Sequence, residues 1–403
     1  MFRRNTVLSL ALVLLLALAV QQTLLALLCA LLLLTAGITA LWSRWALRRV
    51  SYERQLSAQR AFPGDEIELT IRITNRKPLA VARLDMREML PAGIELNDPD
   101  QTFDQQGQRM LQRTSGLGWY ERVTWRYRLR CPQRGVYRFG PVQLEAGDPF
   151  GFSQNIQDIP EQQTLLVYPR LLPLHELGLP PRRPLGDLRA RQLVRDPLRT
   201  VGVRDYHPDD PLKDIHWSAT ARVGTLQTRV YETTTAFELA IFLDLDTFTY
   251  YWEGVDPEQI ERMISAAASL ARQYLDEGYA VGLYVNGAPA QFEQLVQLSP
   301  SRSPTQLEHI LDVLARLVPY SITPMARLLR PSAVSLPWGA TVLLISCIAP
   351  PEIRAALARL RERGRRVAWL YMGADAPPTL PAVIVHHAPP AQDWRRRSAQ
   401  TKA

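Results

Sequence analysis

The start of the chain is dominated by one apolar run, from residue 7 to residue 42, which is broken at Gln21, Gln22 and Thr23. As a single helix this run would be roughly 54 Å long, far more than the ~30 Å hydrocarbon core of a bilayer. The pattern therefore predicts a transmembrane α-hairpin that turns at the Gln-Gln-Thr break. The alternative is a secretory signal peptide cleaved near residues 17–19, after which the remaining apolar stretch would still anchor the chain.

Arginines flank the apolar run on both sides, with Arg3 and Arg4 before it and Arg44, Arg48 and Arg49 after it. Lysine and arginine are enriched on the cytoplasmic side of membrane segments. Both ends of the hairpin are therefore predicted to lie in the cytoplasm, together with the domains that follow.

From residue 50 to about residue 170 the apolar positions recur with period two, as in half-buried strands. Residues 67–73 and 123–129 alternate in this way, and residues 136–144 form a strand pair that Gly140-Pro141 interrupts. Turn residues such as Pro63-Gly64-Asp65 separate the short strands. This spacing predicts an antiparallel β-sandwich. The order Pro-Gly-Asp, alternating strand, Asn and then Leu-Pro-Ala-Gly resembles an immunoglobulin-like module.

Residues 173–200 are rich in proline and arginine and show little apolar periodicity. Such a composition is typical of a solvated, flexible linker. A basic contact with lipid head groups or with an acidic partner is the alternative interpretation.

After residue 236, strands and helices alternate. The predicted strands are 237–245, 280–285, 341–346, 367–372 and 383–385, and the predicted helices are 257–278, 304–317 and 351–363. Asp256 and Gly278 stand where a helix N-cap and a C-terminal glycine are expected. The alternation predicts a Rossmann-like parallel sheet with helices on both faces.

The chain is thus predicted to be multidomain. The boundaries are a two-helix membrane anchor at 1–49, a β-sandwich at 50–170, a joint at 171–236, an α/β domain at 237–388 and a basic tail at 389–403.

Two blocks of sequence resemble one bacterial family. Residues 202–222 contain an Arg-x-Tyr-x-x-x-Asp element that runs into Ile-His-Trp and Ala-Arg, and the second block comprises residues 134–141 and 147–151. Together they resemble the signature of domain-of-unknown-function family 58, whose members are membrane-tethered von Willebrand factor A-like proteins. The resemblance implies a von Willebrand factor A-like α/β domain, a bacterial inner-membrane location and a protein partner of the MoxR-type AAA+ ATPase class.

The same resemblance identifies where a metal ion would be held. Von Willebrand factor A domains use Asp-x-Ser-x-Ser after the first strand, whereas this chain has Asp244, Asp246 and Phe248 there. Cys347 stands at a later acidic position, and Thr305 is the candidate for a loop threonine. Because phenylalanine and a thiol are poor Mg²⁺ ligands, no metal or other cofactor is expected. Asp244 and Asp246 are instead predicted to hydrogen-bond nearby loop amides and to form, with residues 204–222, a rim at the carboxyl ends of the strands that contacts a protein partner.

No recognised catalytic pattern is present: the six histidines lack HExxH spacing, and GxSxG, Walker A and GxGxxG are absent. The cluster formed by Tyr206, His207, Asp209, Asp210, Asp214 and His216 contains two prolines and is predicted to be a polar turn with no catalytic residue. Trp217 is predicted to be a buried packing anchor. A hot spot for a partner is the alternative role of Trp217.

The chain has a net charge of +8 and a pI near 9.6, but its basic residues are scattered, which argues against nucleic-acid binding. No small-molecule substrate is indicated. We therefore expect a non-enzymatic, membrane-anchored scaffold or adaptor. The alternatives are a metal-dependent extracellular adhesion protein and a hydrolase that uses residues 206–216. The predicted partner-binding residues are Arg204, Tyr206, Asp210, His216, Trp217, Arg222, Asp244 and Asp246.

Overall fold

The computed structural model describes residues 4–96, 101–103, 108–147, 154–179, 194–234, 237–290, 294–336 and 340–388. The chain divides into two units, Met1–Tyr168 and Pro169–Ala403, which are described separately. The predicted tail at 389–403, residues 180–193 of the predicted linker and residues 148–151 of the second family block lie outside the described residues.

The chain begins with two apolar helices, α1 (Arg4–Ala19) and α2 (Thr23–Ala46), which separate at the predicted Gln-Gln break. With 24 residues, α2 is roughly 36 Å long and is the one described helix that is long and apolar enough to cross a membrane. The shorter α1 does not reach that length. Of the predicted two-helix anchor, the structure thus supports one candidate membrane-spanning helix near the N-terminus. Thr39, Ser43 and Ala46, in the last turns of α2, are buried.

The rest of the first unit is built from strands in three sheets. The strands are β1 (Val50–Leu56), β2 (Arg60–Ala61), β3 (Glu66–Asn75), β4 (Val81–Met89), β5 (Glu95–Leu96), β6 (Gln101–Phe103), β7 (Arg109–Leu117), β8 (Arg122–Arg130), β9 (Gly135–Phe139), β10 (Val142–Gly147), β11 (Gln154–Ile159) and β12 (Gln163–Val167). The sheet orders are β1-β3-β8-β5, β11-β10-β4-β7-β6 and β2-β12-β9. Pairing is antiparallel except between β2 and β12.

The alternation read in the sequence corresponds to β3 and β8, whose apolar side chains, among them Ile67, Leu69 and Leu129, point into the core. Gly140-Pro141 separates β9 from β10, as predicted, and sends the two strands into different sheets. Strand β4 was not predicted because its buried positions include Asp85 and Glu88, which break the apolar alternation.

A buried ion pair connects the two larger sheets of this unit. The fully buried Glu88 of β4 accepts hydrogen bonds from Arg54 Nη1 at 2.6 Å and from the Tyr52 hydroxyl at 2.9 Å, and both partners belong to β1. Because all three groups are hydrogen-bonded to one another, the carboxylate is not left as an unpaired buried charge.

The second unit contains a two-stranded and a six-stranded sheet. Its strands are β13 (Val194–Asp205), β14 (Gln227–Thr234), β15 (Glu238–Leu243), β16 (Ala280–Val285), β17 (Val296–Ser301), β18 (Thr341–Ser346), β19 (Arg366–Tyr371) and β20 (Ile384–His387). Its helices are α3 (Trp217–Val223), α4 (Pro257–Asp276), α5 (Gln306–Arg316), α6 (Met325–Ser335) and α7 (Pro351–Glu362). Asp256 caps α4 as predicted, because its side chain accepts hydrogen bonds from the amides of Glu258 and Gln259.

The six-stranded sheet has the order β17-β16-β15-β18-β19-β20. Five strands run parallel, but β17 pairs with β16 in the antiparallel direction, so the prediction of a wholly parallel sheet is wrong. Strand β17 was not predicted, because it is an edge strand that contains Pro300 and two serines and has one buried side chain, Val296. The sheet is therefore mixed.

Two further elements correct the sequence interpretation. Residues 194–205 form β13 and pair with β14, so the predicted linker ends before residue 194. The pairing is irregular between Arg195 and Thr200. The strand was not predicted, because a stretch rich in proline and arginine is typical of a linker. Helix α6 was also missed, because Pro331 within it argues against a helix at the level of sequence.

Candidate functional site

The first of the two family blocks, residues 202–222, lies on an extended hairpin, which we call the signature arm (residues 202–230). It comprises the ends of β13 and β14 and the connection between them, which contains α3. Most of the described side chains of the arm are exposed. The arm therefore presents its residues to the surroundings rather than to a core.

The polar cluster of the arm forms a closed turn, as predicted. The amide of Asp210 donates to the carbonyl of His207 at 2.8 Å, and the amide of His207 donates back to Asp210 Oδ2 at 2.9 Å. Arg204 Nη2 donates to Asp210 Oδ1 at 2.6 Å. The His207 amide, and after it the Arg204 guanidinium, hold the pKa of Asp210 below its ordinary value. Both carboxylate oxygens are thus occupied in shaping the turn.

The histidine of the signature caps α3. His216 Nδ1 accepts a hydrogen bond from the amide of Ala219 at 3.2 Å and lies 3.0 Å from the Ser218 hydroxyl. Ile215, before it, is buried, and the His216 amide donates to the carbonyl of Gln227 in β14. With its Nδ1 used in the cap, His216 has a structural role in the arm that accounts for its place in the signature.

Trp217 is exposed, with 68% of its surface accessible, and none of the seven residues of α3 is buried. The prediction that Trp217 is a buried packing anchor is therefore wrong. The sequence could not reveal this, because tryptophan is highly buried on average and the neighbours of Trp217 in the chain do not show which elements pack on it. The arm carries further exposed apolar side chains: Val203, Leu212, Val223, Leu226 and Val230.

Of the remaining predicted arm residues, Tyr206 is half-buried and Arg222 is exposed in the last turn of α3. The Tyr206 amide donates to the carbonyl of Leu226, which pairs the two sides of the arm. Arg222 and Trp217 are therefore the signature side chains that face outward, while Arg204, Asp210 and His216 hold the arm in shape.

The other predicted site lies at the carboxyl end of β15. Asp244 is fully buried, and its Oδ1 accepts hydrogen bonds from Asn286 Nδ2 at 2.7 Å and from the Asp246 amide at 3.2 Å. Its Oδ2 is buried without a hydrogen-bond partner. Asp246 accepts from the same Asn286 amide group at 3.2 Å and from the hydroxyl of Ser321. The two carboxyl groups thus share one asparagine.

Burial raises the pKa of both carboxyl groups of this pair. The negative charge of Asp246 raises the pKa of Asp244 further, whereas the bonds from the Asp246 amide and from Asn286 oppose the rise. For Asp246 the Ser321 hydrogen bond lowers the pKa against the effect of burial. The pair therefore holds a proton more readily than exposed aspartates do.

Asn286 and Ser321 were not predicted to belong to this site. Asn286 follows β16 directly, and the rule that placed Asp244 at a carboxyl strand end applies equally to it. The Asn286 side chain accepts from the Leu245 amide at 2.8 Å, and its carbonyl accepts from the amide of Ile322 at 2.8 Å. Ser321 lies in a loop whose sequence gives no signal of the site.

A groove opens beside the pair and encloses a cavity of about 720 Å³. Its lining comes from three segments: 245–255 after β15, 320–330 at the start of α6, and 348–353 at the start of α7. Asp246 lines the groove, while the buried Asp244 does not. Exposed apolar side chains surround it: Phe248, Tyr250, Val255, Tyr320 and Ile322.

The side chains at the groove fit a Mg²⁺ site poorly. Phe248 is a hydrocarbon on the rim, and the Cys347 thiol lies 3.3 Å from the carbonyl of Asp246, with burial raising its pKa to about 12. Strand β17 begins beside the carboxyl end of β16 and runs antiparallel to it. Thr305, which follows β17, therefore lies at the amino ends of the parallel strands, away from Asp244. Within the described residues, no group of three or more His, Cys, Asp or Glu side chains could hold a metal ion.

The two predicted sites are separate features of the second unit. The groove lining contains no residue of the signature arm, and the hydrogen bonds described above for the arm run within the arm itself. The prediction of one continuous rim from Asp244, Asp246 and residues 204–222 therefore finds no support in the described contacts.

Comparison with protein families places residues 202–368 in a match to the family model described as Protein of unknown function DUF58. The matched segment starts in the signature arm and ends in β19. The resemblance inferred from the sequence motif is thereby confirmed over this segment.

Among curated proteins, the chain is similar to the uncharacterized protein YeaD of Bacillus subtilis (strain 168), with 25% identity over 253 residues. The match covers 62% of this chain and 58% of the relative, so the chain spans less than two thirds of that protein's length.

Among solved structures, the chain is similar to a CARDB domain from Pyrococcus furiosus, which was solved with di-metal ions, with 15% identity and a TM-score of 0.19. It is also similar to a non-cellulosomal cohesin from Archaeoglobus fulgidus, with 16% identity and a TM-score of 0.20. Each match covers 29% of this chain and 91% of the solved chain. At these scores the similarity says nothing about ligands or partners.

Proposed function

We propose that this chain, which belongs over residues 202–368 to the family described as Protein of unknown function DUF58, is a membrane-anchored, non-enzymatic adaptor. It binds a protein partner through the signature arm, and α1 and α2 hold it in the membrane as a hairpin. Its second unit is proposed to be a von Willebrand factor A-like domain, and the mixed six-stranded sheet with a groove at the carboxyl strand ends supports this assignment.

The observation that carries the proposal is the exposure of Trp217 on an arm whose turn and helix start are held by hydrogen bonds. The polar signature residues stabilise the turn and the cap, and they leave Trp217 at 68% exposure with Leu212 and Val223 also exposed. Tryptophan is among the residues that dominate binding energy when an interface buries them. An exposed tryptophan on a shaped arm is therefore best explained by a partner that covers it.

The architecture of the arm supports the same reading. Within the described residues, β13 and β14 form a sheet of two strands, and an isolated two-stranded hairpin is at best marginally stable in water. A partner that covers the apolar residues of the arm would add the buried surface that the hairpin lacks. The arm also offers exposed basic residues, including Arg222 and Arg229, for polar contacts at the margin of that surface.

The partner class follows from the resemblance noted in the sequence. A MoxR-type AAA+ ATPase is the proposed partner, and the adaptor would bring such an ATPase to the membrane surface for the assembly or activation of another complex. The catalytic alternative is weakened by the arm itself, because two groups of the 206–216 cluster, the Asp210 carboxylate and His216 Nδ1, are used in the turn and in the helix cap.

The test is Trp217→Ala in the full-length chain, assayed by pull-down with the AAA+ ATPase of the same organism. Truncation of a hot-spot residue costs about 2 kcal/mol or more, which is a loss of affinity of at least roughly 30-fold. Because Trp217 is exposed, the melting temperature should stay at the wild-type value.

The matched control is Trp252→Ala, since Trp252 is equally exposed, at 67%, but lies beside the groove rather than on the arm. This variant should bind the ATPase with wild-type affinity. Wild-type binding by the Trp217 variant would overturn the proposal, and loss of binding by the Trp252 variant alone would move the docking site to the groove.

A further inference from the structure

The turn between β7 and β8 carries two aromatic side chains that the core of the first unit does not use. Trp119 is 72% exposed and Tyr120 is 67% exposed. They belong neither to the signature arm nor to the groove, and both lie on the unit that contains the candidate membrane helix. Two neighbouring aromatic side chains exposed at the tip of a sandwich form a candidate contact surface for an apolar environment outside the chain, such as a partner or a membrane.

Hydrogen bonds hold this turn in a fixed conformation. The buried Asn75 donates from its side chain to the carbonyl of Gly118 at 2.7 Å, and its amide donates to the carbonyl of Glu121 at 2.9 Å. The Glu121 carboxylate in turn accepts from the amide of Gly118. The turn is therefore positioned by a buried residue of the neighbouring strand β3.

The same turn is connected to the end of α2 through Lys77. The amide of Tyr120 donates to the carbonyl of Lys77 at 3.4 Å, and the buried ammonium group of Lys77 donates to the carbonyl of Ala46, the last residue of α2. A second link joins the amide of Arg76 to the carbonyl of Arg49 at 2.9 Å. Trp119 and Tyr120 thus lie at the level where α2 ends.

The end of α2 has the composition of a membrane interface. Trp45 is 48% exposed, and Arg44, Arg48 and Arg49 are exposed around it. Tryptophan and tyrosine are enriched where the hydrocarbon core meets the head groups, and clustered basic residues are attracted to anionic lipids. The nearby acidic residues are Glu53, which pairs with Arg72 and Arg76, and Glu121, which is used in the turn.

We infer that the β7–β8 turn is a second membrane contact, in which Trp119 and Tyr120 insert into the interface of the same bilayer that α2 crosses, with the neighbouring arginines on anionic head groups. The inference rests on the proposed membrane anchoring. Its consequence is that the first unit is held against the lipid surface at two points, the helix and the turn, instead of hanging from the helix alone.

The test uses nitroxide labels on single introduced cysteines in the full-length chain, reconstituted in nanodiscs that contain phosphatidylglycerol. The label at Trp119→Cys should be more accessible to oxygen than to a water-soluble nickel complex. The label at Gln133→Cys should behave as in water, because Gln133 is exposed at the other end of β3, about 30 Å away along that strand. Unlabelled background is measured on the chain without added cysteines, whose Cys29, Cys131 and Cys347 are buried.

A third label, at Leu31→Cys in the middle of α2, separates the two proposals. If Leu31 reports lipid while Trp119 resembles Gln133, the protein is anchored and the inferred contact is wrong. If Leu31 itself reports water, the proposed membrane anchoring is wrong.

Quenching of tryptophan fluorescence by brominated lipids provides an independent readout. The substitution Trp119→Phe should reduce the part of the fluorescence that the lipids quench. The control Trp125→Phe, at a half-buried position on β8, should leave that part unchanged.

Discussion

At the scale of single residues, one amino-acid type can have opposite roles at two positions of this chain. Asp210 keeps a low pKa at the surface because an amide and a guanidinium bond to it, whereas burial raises the pKa of Asp244. Trp217 is exposed, whereas Trp369 is fully buried and donates its indole N–H to Ser346 at 2.8 Å. The contacts of each side chain, and not its type, decide whether it stabilises the fold or remains available for binding.

The raised pKa of Asp244 predicts a pH dependence of stability. Between its ordinary value of 3.8 and the raised value, the folded chain binds more protons than the unfolded chain, so this group makes the fold less stable as pH rises through that window. Asp244→Asn removes the titration and keeps an acceptor for Asn286. We expect the melting temperature of the variant to gain on that of the wild type as the pH rises above 3.8.

The matched control is Asp209→Asn, since Asp209 is 95% exposed on the signature arm. The difference between this control and the wild type should not change over the same range of pH. An Asp244→Asn variant whose melting curve runs parallel to that of the wild type at every pH would contradict the raised pKa.

At the scale of elements, buried polar contacts tie strands from different sheets together. The Glu88–Arg54 pair joins β4 to β1 with both side chains almost completely buried, and Tyr52 completes it. A pair of this kind is costly to break from one side, because the remaining charge is left buried without a partner.

Glu88→Ala is therefore expected to lower the free energy of unfolding of the first unit by about 3–5 kcal/mol. Urea unfolding followed by circular dichroism measures this change. The control is Glu68→Ala, which breaks an exposed pair with Arg126 at 3.5 Å between β3 and β8 and should cost about 0–1 kcal/mol. Equal effects of the two substitutions would show that the buried pair is not the stabilising contact.

At the scale of the whole molecule, the distribution of arginines predicts a topology for the chain. Because positive residues stand at both ends of the α1–α2 pair, we predict that the two ends lie in the cytoplasm and that the turn at residues 20–22 lies on the other side. Alkaline phosphatase fused after Ala403 should be inactive in cells, because this enzyme is active only after export, and a fluorescent protein fused there should be bright.

A phosphatase inserted after Gln22 provides the matched control and should be active. Activity at Ala403 together with inactivity at Gln22 would reverse the orientation. Activity of both fusions would place residue 22 and Ala403 on the same, exported side, so that α2 would not cross the membrane.

The sequence by itself determined the features that depend on local pattern. The break between α1 and α2, the alternation of β3 and β8, the capped helix α4 and the closed turn at Asp210 all follow from periodicity and from the residues at element ends. These features rest on contacts between residues near one another in the chain, or on the simple rule that apolar side chains leave water.

Only the tertiary structure decided the features that depend on contacts far apart in sequence. The antiparallel direction of β17, the sharing of Asn286 by Asp244 and Asp246, and the exposure of Trp217 are set by which elements meet in space. Position along the chain cannot show whether a side chain has a neighbour from another element. For that reason the sequence was enough to find the signature. Only the fold showed that Arg204, Asp210 and His216 hold the arm in shape, while Trp217 and Arg222 face the solvent.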